Sequence, residues 1–256
     1  MIKIYKVGGG ILDNESELTN FLEQFSKISD KKILVHGGGK EANKLLEKLN
    51  IKPIMIDGRR VTDQKTLDIV TQLYAGKLNK KIVANLQKNQ LNAIGLCGAD
   101  GNVIIAKKRP IQAVDYGFVG NLDDNSVNTS LIESLLNLNL TPVFCAITHD
   151  GNGQLLNTNA DTIASEIAIG LTKNNTIELH FCFDKIGVLK DITDQDSLIP
   201  YINSKIYSNL LANNTISDGM IPKLENAFMV LNKGVSSVFI EHSKNIQNSV
   251  KTTLCL

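Results

Sequence analysis

The chain has 256 residues, room for one large domain or two modest ones at roughly 100–200 residues each. Its 27 lysines and arginines against 26 aspartates and glutamates leave a net charge of +1, which excludes the broad basic surface that grips nucleic acid through many phosphates. With 43% hydrophobic and 21% charged residues, no apolar run near the ~20 residues of a membrane span and no signal-peptide core, the expectation is a globular cytoplasmic protein.

Ile2–Val7 is a short apolar, β-branched run that stops at Gly8-Gly9-Gly10. Leu18, Phe21, Leu22, Phe25 and Ile28 follow at three- and four-residue spacing, a helix with Asp13 or Asn14 as its cap. A second strand, 33–35, ends at His36-Gly37-Gly38-Gly39, and the helix after it carries Ala42, Leu45, Leu46 and Leu49. The pattern then predicts helices near 63–88, 129–138, 161–172, 204–213 and 221–232, between strands at 93–96, 103–106, 142–147, 176–181 and 237–240. Alternation of this kind gives βαβ units: an α/β fold with a mainly parallel sheet and helices on both faces. The block 103–122, with Lys107-Lys108-Arg109-Pro110 and Gly117 and Gly120, reads as a hairpin inserted in that sheet. The polar stretch 172–175 marks a boundary between two lobes, 1–173 and 174–256. Cys97, Cys145, Cys182 and Cys255 lie far apart without a C-x-x-C, so neither a disulfide nor a zinc framework is expected.

Ligand sites in open α/β sheets lie beyond the carboxyl ends of the strands, and there the chain places its two triglycines. Glycine lets backbone N–H groups approach an anion, and the helix that follows adds positive potential. Two such loops on adjacent strands could hold one phosphate between them; the plainer reading is a pair of tight turns. Neither loop is a Walker A motif, since Gly39-Lys40 precedes Glu41, and neither matches G-x-G-x-x-G. Lys6 stands two residues before the first loop, where it could point its ammonium at a phosphate or simply snorkel. Lys223 follows Pro222 at the start of a helix. Leu155-Leu-Asn157-Thr-Asn159-Ala-Asp161 runs into another helix, with Asp161 or Asn159 as cap. In Asp57-Gly58-Arg59-Arg60 an arginine could clamp a carboxylate bidentately. His36 reads as a turn-stabilising residue, and no histidine has metal-ligand spacing. No nucleophile–base pair declares itself. An acceptor that is already a carboxylate needs no general base, so positioning and charge neutralisation would suffice for phosphoryl transfer.

Lys6-Val-Gly-Gly-Gly10, Val35-His-Gly-Gly-Gly39, Gly58-Arg-Arg-Val-Thr62, Gly95-Leu-Cys-Gly-Ala-Asp-Gly101, Val119-Gly120, Asn157-Thr-Asn-Ala-Asp161, Asp184-Lys-Ile-Gly-Val-Leu189 and Ser217-Asp-Gly-Met-Ile-Pro-Lys223 occur in one order along the chain. As an ordered set they resemble the amino acid kinase family, most closely its members that phosphorylate N-acetyl-L-glutamate. The resemblance implies a three-layer αβα sandwich, with the acyl amino acid bound in lobe 1–173 and ATP in lobe 174–256. It implies that Lys6 and Lys223 flank the transferred phosphoryl group and that Asp161 holds both ammonium groups. Gly9, Gly38 and Gly39 would supply amides, and Arg60 and Asn157 would bind the substrate α-carboxylate. Asp184, Lys185, Ile186, Gly187, Val188 and Leu189, with Ile216 and Ser217, would line the adenine nucleotide site. Mg2+ would be held mainly through the phosphates, with no metal site of the protein's own.

The expected reaction is transfer from ATP to the γ-carboxylate of N-acetyl-L-glutamate, in arginine biosynthesis. The alternatives are another N-acylglutamate, such as N-succinylglutamate, or a non-catalytic metabolite sensor on the same fold. Leu67, Val70, Leu73, Tyr74 and Leu78 form an apolar stripe that could cover the sheet. In the resembling enzymes the equivalent helix pairs across a homodimer, which is the state expected here. Only five residues precede Lys6, without the N-terminal helix of hexameric arginine-inhibited relatives, so no arginine control is expected. The chain departs from the pattern in four places: Phe183 replaces a small hydroxyl residue, Lys185-Ile186 replaces a smaller pair, the strand end Phe144-Cys145-Ala146-Ile147 replaces a Ser-Pro or Ser-Ile-Gly type of ending, and Lys251 precedes Thr252 where glycine is usual.

Overall fold

Eight strands form one sheet: β1 (Ile2–Val7), β2 (Lys31–His36), β3 (Ala93–Leu96), β4 (Thr141–Cys145), β5 (Ile177–Phe183), β6 (Tyr201–Ile202), β7 (Ser237–His242) and β8 (Lys251–Leu254). Their order is β6-β8-β7-β5-β1-β2-β4-β3. The computed structural model describes residues 1–56, 58–191, 193–213, 215–216 and 220–256. From β3 to β7 the strands are parallel; β8 runs against β7, and β6 runs with β8. The chain builds outward from β1 through β2 to β3 and β4. It then returns across the sheet to lay β5 on the other side of β1, so the strand order reverses beside β1, the place where α/β sheets open a ligand crevice.

Strand parity sorts the side chains of β1 between two cores. Ile2 and Ile4 enter the larger one, with α7 (Ala160–Leu171) and α9 (Ile221–Asn232). Tyr5 and Val7 enter the other, against Phe21 and Phe25 of α2 (Glu15–Ser26) and Ile82 of α5 (Asn79–Lys88). The layers are therefore helix, sheet, helix. Asn14 caps α2, its side chain accepting from Ser16 and Glu17 N–H.

Residues 64–88 form a continuous helical run, as the spacing predicts, but α4 (Gln64–Thr71) and α5 are joined by a π-helical stretch at Gln72–Leu78. The stripe Leu67, Val70, Leu73, Tyr74 and Leu78 is buried in the chain's own core. The expected hairpin is not inserted in the main sheet: Lys107–Lys108 pairs with Gly120–Asn121 as a two-stranded sheet of its own. Lys107 and Lys108 are exposed and bring no apolar face for a sheet to bury. The predicted strand 103–106 is held by single bridges instead, Ile104 to Val127 and Ile105 to His149. The strand expected at 142–147 breaks at Ala146, and Ile147–His149 turns away to pair with Leu155–Asn157. The segment 172–175 is a turn between α7 and β5, yet β5 pairs with β1 residue for residue, so both lobes share one sheet. All four cysteines are free thiols, and no described helix is long and apolar enough to cross a membrane.

Candidate functional site

The parity that sends Ile2 and Ile4 towards α7 also aims Lys6 at the first turn of that helix. Its Nζ lies 2.8 Å from Asp161 Oδ1. Asp161 is available because it is not the cap: Asn159 takes that place, its Oδ1 accepting from the N–H groups of Asp161 and Thr162. The carboxylate thus sits at the positive end of α7 and faces a cation.

Around this pair a cleft of about 180 Å3 opens between the two glycine loops. Gly8 and Gly9 line one wall and Gly37 to Gly39 the other, with Arg60, Tyr74, Asn157 and Asp161 between them. Gly38 is forced by crowding. A Cβ there would lie 2.6 Å from Leu78 Cδ1 and 2.7 Å from Tyr74 Cε1, so the π-helical stretch presses directly on the loop. Arg60 is buried; its Nη2 donates to Gly39 O at 3.0 Å, while Nη1 is buried with no partner. An orphaned guanidinium donor in a cleft is a carboxylate-binding feature. Asn157 Nδ2 donates to Thr62 Oγ1 at 3.0 Å, and that hydroxyl donates to Arg60 O at 2.8 Å, which ties the amide to the Arg60 segment. His36 is wholly buried beneath the second loop. Its Nδ1 lies 2.9 Å from Gly37 O, and Asn79 Nδ2 donates to Nε2 at 3.1 Å. Burial pulls its pKa down to about 4, so the imidazole is neutral and holds the loop rather than moving protons.

A second cleft lies beyond the ends of β5 and β7, lined by Asp184, Lys185, Ile186, Leu189, His242 and Lys244. Gly187 and Val188 form its support: Val188 N–H donates to Thr252 Oγ1 at 2.8 Å, and that hydroxyl donates to Ile199 O at 2.7 Å. Burial, then the charge of Lys244, lowers the pKa of His242. Val188 and Ile216 are buried core residues that do not line the cleft, and Ser217 lies outside the described residues.

Lys223, in the first turn of α9, lines neither cleft but lies between them. Burial of its ammonium end, then the charge of Lys6, holds its pKa below the usual lysine value, while Asp161 and Asp184 act the other way. Asp161 contacts Lys6 and not Lys223; the Lys223 ammonium lies over the Phe183 ring, 4.5 Å from its centroid. Two participants went unread in the sequence. Lys40 lies along the first glycine loop: a Cβ on Gly9 would sit 3.4 Å from its Cγ, and one on Gly10 3.7 Å from its Nζ. Tyr74 reaches the cleft only through the π-helical stretch, which leaves no local sequence signal.

A profile of the amino acid kinase family matches residues 1–242. The acetylglutamate kinase of Cytophaga hutchinsonii is 49% identical over 249 residues, spanning 96% of this chain and 94% of that protein. That of Bacteroides thetaiotaomicron is 46% identical, over 99% of this chain and 98% of the other. Among solved structures, a Streptococcus mutans UA159 protein has a TM-score of 0.81 at 24% identity, covering 99% of this chain and 98% of its own. Carbamate kinase from Giardia lamblia bound to AMP-PNP has a TM-score of 0.70 at 12% identity, covering 99% and 98%. At these identities the two solved structures speak for the fold.

Proposed function

The chain belongs to the amino acid kinase family, and on that premise we infer that it transfers the γ-phosphoryl group of ATP to the γ-carboxylate of N-acetyl-L-glutamate, a reaction of arginine biosynthesis. The observation that carries this reading is the Lys6–Asp161 pair, set between two glycine loops and facing a buried, unpartnered Arg60 donor. The acceptor carboxylate is ionised at neutral pH, so the site needs no base, and His36, neutral and with its ring nitrogens engaged, does not act as one.

Arg60 and Asn157 bind the α-carboxylate and so point the γ-carboxylate at Lys6. The amides of Gly9, Gly38 and Gly39 and the ammonium groups of Lys6 and Lys223 surround the transferred phosphoryl group, with Lys40 adding charge along the first loop. Such groups stabilise charge that grows in the transition state, and removing one donor of this kind costs about 10²–10³ in rate. Asp161 orients Lys6 and offsets its charge against Lys223. The nucleotide lies in the second cleft, along Asp184 to Leu189, with Val188 and Ile216 backing that wall from the core. Residues 1–173 then bind the acyl amino acid and 174–256 the nucleotide. Magnesium would arrive with ATP and keep phosphate and water ligands. When bound, it neutralises phosphate charge. The working state is a cytoplasmic homodimer; the resemblance supports it, while the apolar stripe of residues 67–78 is spent on the core.

The test is ATP-dependent acyl phosphate formation, trapped as the hydroxamate, with N-acetylglutamate, N-succinylglutamate, glutamate, aspartate and carbamate. Turnover strongest with N-acetylglutamate is expected. A clear preference for the succinyl compound would move the assignment to that substrate, and no product with any acceptor would overturn the kinase reading.

A further inference from the structure

Lys223 stands where little favours a cation. It is an exposed residue at the positive end of α9, and Lys6 lies close enough to depress its pKa. Asp161 and Asp184 face it, yet neither brings an oxygen within ion-pair reach, and Asp161 is already bonded to Lys6. Among the described residues, the group in contact with the ammonium is the face of Phe183, 4.5 Å from centroid to Nζ. Phe183 is the last residue of β5, in register with His242 of β7, and its carbonyl accepts from Ser243 N–H at 3.2 Å. Its parity is that of Ile177, Leu179 and Phe181, which puts the ring on the face where α7 and α9 pack.

We propose that Phe183 is a positioning residue for phosphoryl transfer, its ring face holding the Lys223 ammonium between the two clefts without neutralising it. A carboxylate in the same place would pair with Lys223 and repel the incoming phosphates. A ring quadrupole attracts the cation while leaving its full charge to the phosphoryl oxygens, and its hold is weak enough to yield when they arrive. The residue that departs from the family pattern is thereby assigned to the lysine, not to the adenine.

The inference rests on the kinase reading, and its test separates the two. Phe183→Leu removes the ring and keeps apolar bulk; Phe183→Met is a second ringless variant should the first fold poorly; Phe183→Tyr keeps the ring. The expected loss in kcat for the ringless variants is roughly tenfold, with both KM values within about threefold of the parent, and Phe183→Tyr restores kcat. The Cε resonance of Lys223 in 13C-lysine-labelled protein, assigned with Lys223→Arg, is followed through alkaline pH. Its midpoint moves about one pH unit towards acid without the ring, because the ring favours the charged amine. An unchanged kcat and midpoint in Phe183→Leu, or a Phe183→Tyr as impaired as Phe183→Leu, overturns the proposal. If the parent transfers no phosphoryl group the kinase reading falls, and the resonance still reports whether the ring holds Lys223.

Discussion

In the cleft around Lys6 the polar side chains are each anchored to a neighbour in the wall. Arg60 is anchored on Gly39 O, Asn157 on Thr62, Asp161 on Lys6, and His36 is wedged below the loop. In the cleft beyond β5 the lining residues Asp184, Lys185, Thr193 and Gln195 come from loops with solvent access, and their order comes from behind, through Thr252. The difference follows from what each must recognise. A small acceptor offers few atoms, so discrimination needs buried donors that cost free energy when left unpaired. A nucleotide offers charge and area, and a loop resting on a firm strand can bind it.

The sharpest test of that contrast is Lys6→Ala. It should lower kcat about 10³-fold while KM for both substrates changes by less than about fivefold, because the ammonium acts on charge that grows in the transition state. A loss confined to KM would make Lys6 a binding residue and erase the distinction between wall and catalyst. The next largest effect concerns stability. His36 has a folded pKa held down to about 4 by burial, against about 6.5 unfolded, so between those values the unfolded chain binds more protons. Stability therefore falls as pH drops from 6.5 to 4 and levels off below, by about 3 kcal/mol from this group. Urea unfolding across that range, compared with His36→Gln, should show the slope shrink in the variant. His242 is shifted in the same direction but is only half-buried, so His242→Gln should change the slope less.

These expectations lean on features of unequal visibility in the sequence. The strands running into Gly8 and Gly37 were legible because an apolar run broken by glycines is a local signal, and the lysine before the first loop was legible with it. Whether Asn159 or Asp161 capped α7 was not, since both are competent caps and only the approach of Lys6 across the sheet frees Asp161. The block 103–122 reads as a hairpin inserted in the sheet, and pairs apart from it at 107–108 and 120–121, because its residues do not encode which strand they will meet. β8 has no counterpart among the expected strands, since Lys251-Thr-Thr-Leu254 carries no apolar run and its place in the sheet rests on Thr252, buried against Val188. Phe183 looked like a departure and proved to be a contact, one made between residues 40 positions apart, Phe183 and Lys223.

Arg60 separates the clefts by binding rather than rate. Replacing it with lysine keeps the charge and loses the fork, so KM for the acyl amino acid should rise about 100-fold while KM for ATP stays within about twofold. An equal rise in both would mean that Arg60 supports the whole crevice through Gly39, and the proposed division of labour would fail.

The smallest effect probes the nucleotide side from its back. Thr252→Val preserves shape but strands two buried backbone groups, the Val188 N–H and the Ile199 carbonyl. The cost should be about 1–2 kcal/mol, seen as a fall of a few degrees in Tm. The loop 184–189 should loosen with it, raising KM for ATP about threefold and leaving the acyl amino acid KM unchanged, because the tie is to the second cleft alone. Were the acyl amino acid KM to move as well, the two clefts would share one scaffold through β5 and β1, and the firm wall around Lys6 would depend on the loop it seemed to outrank.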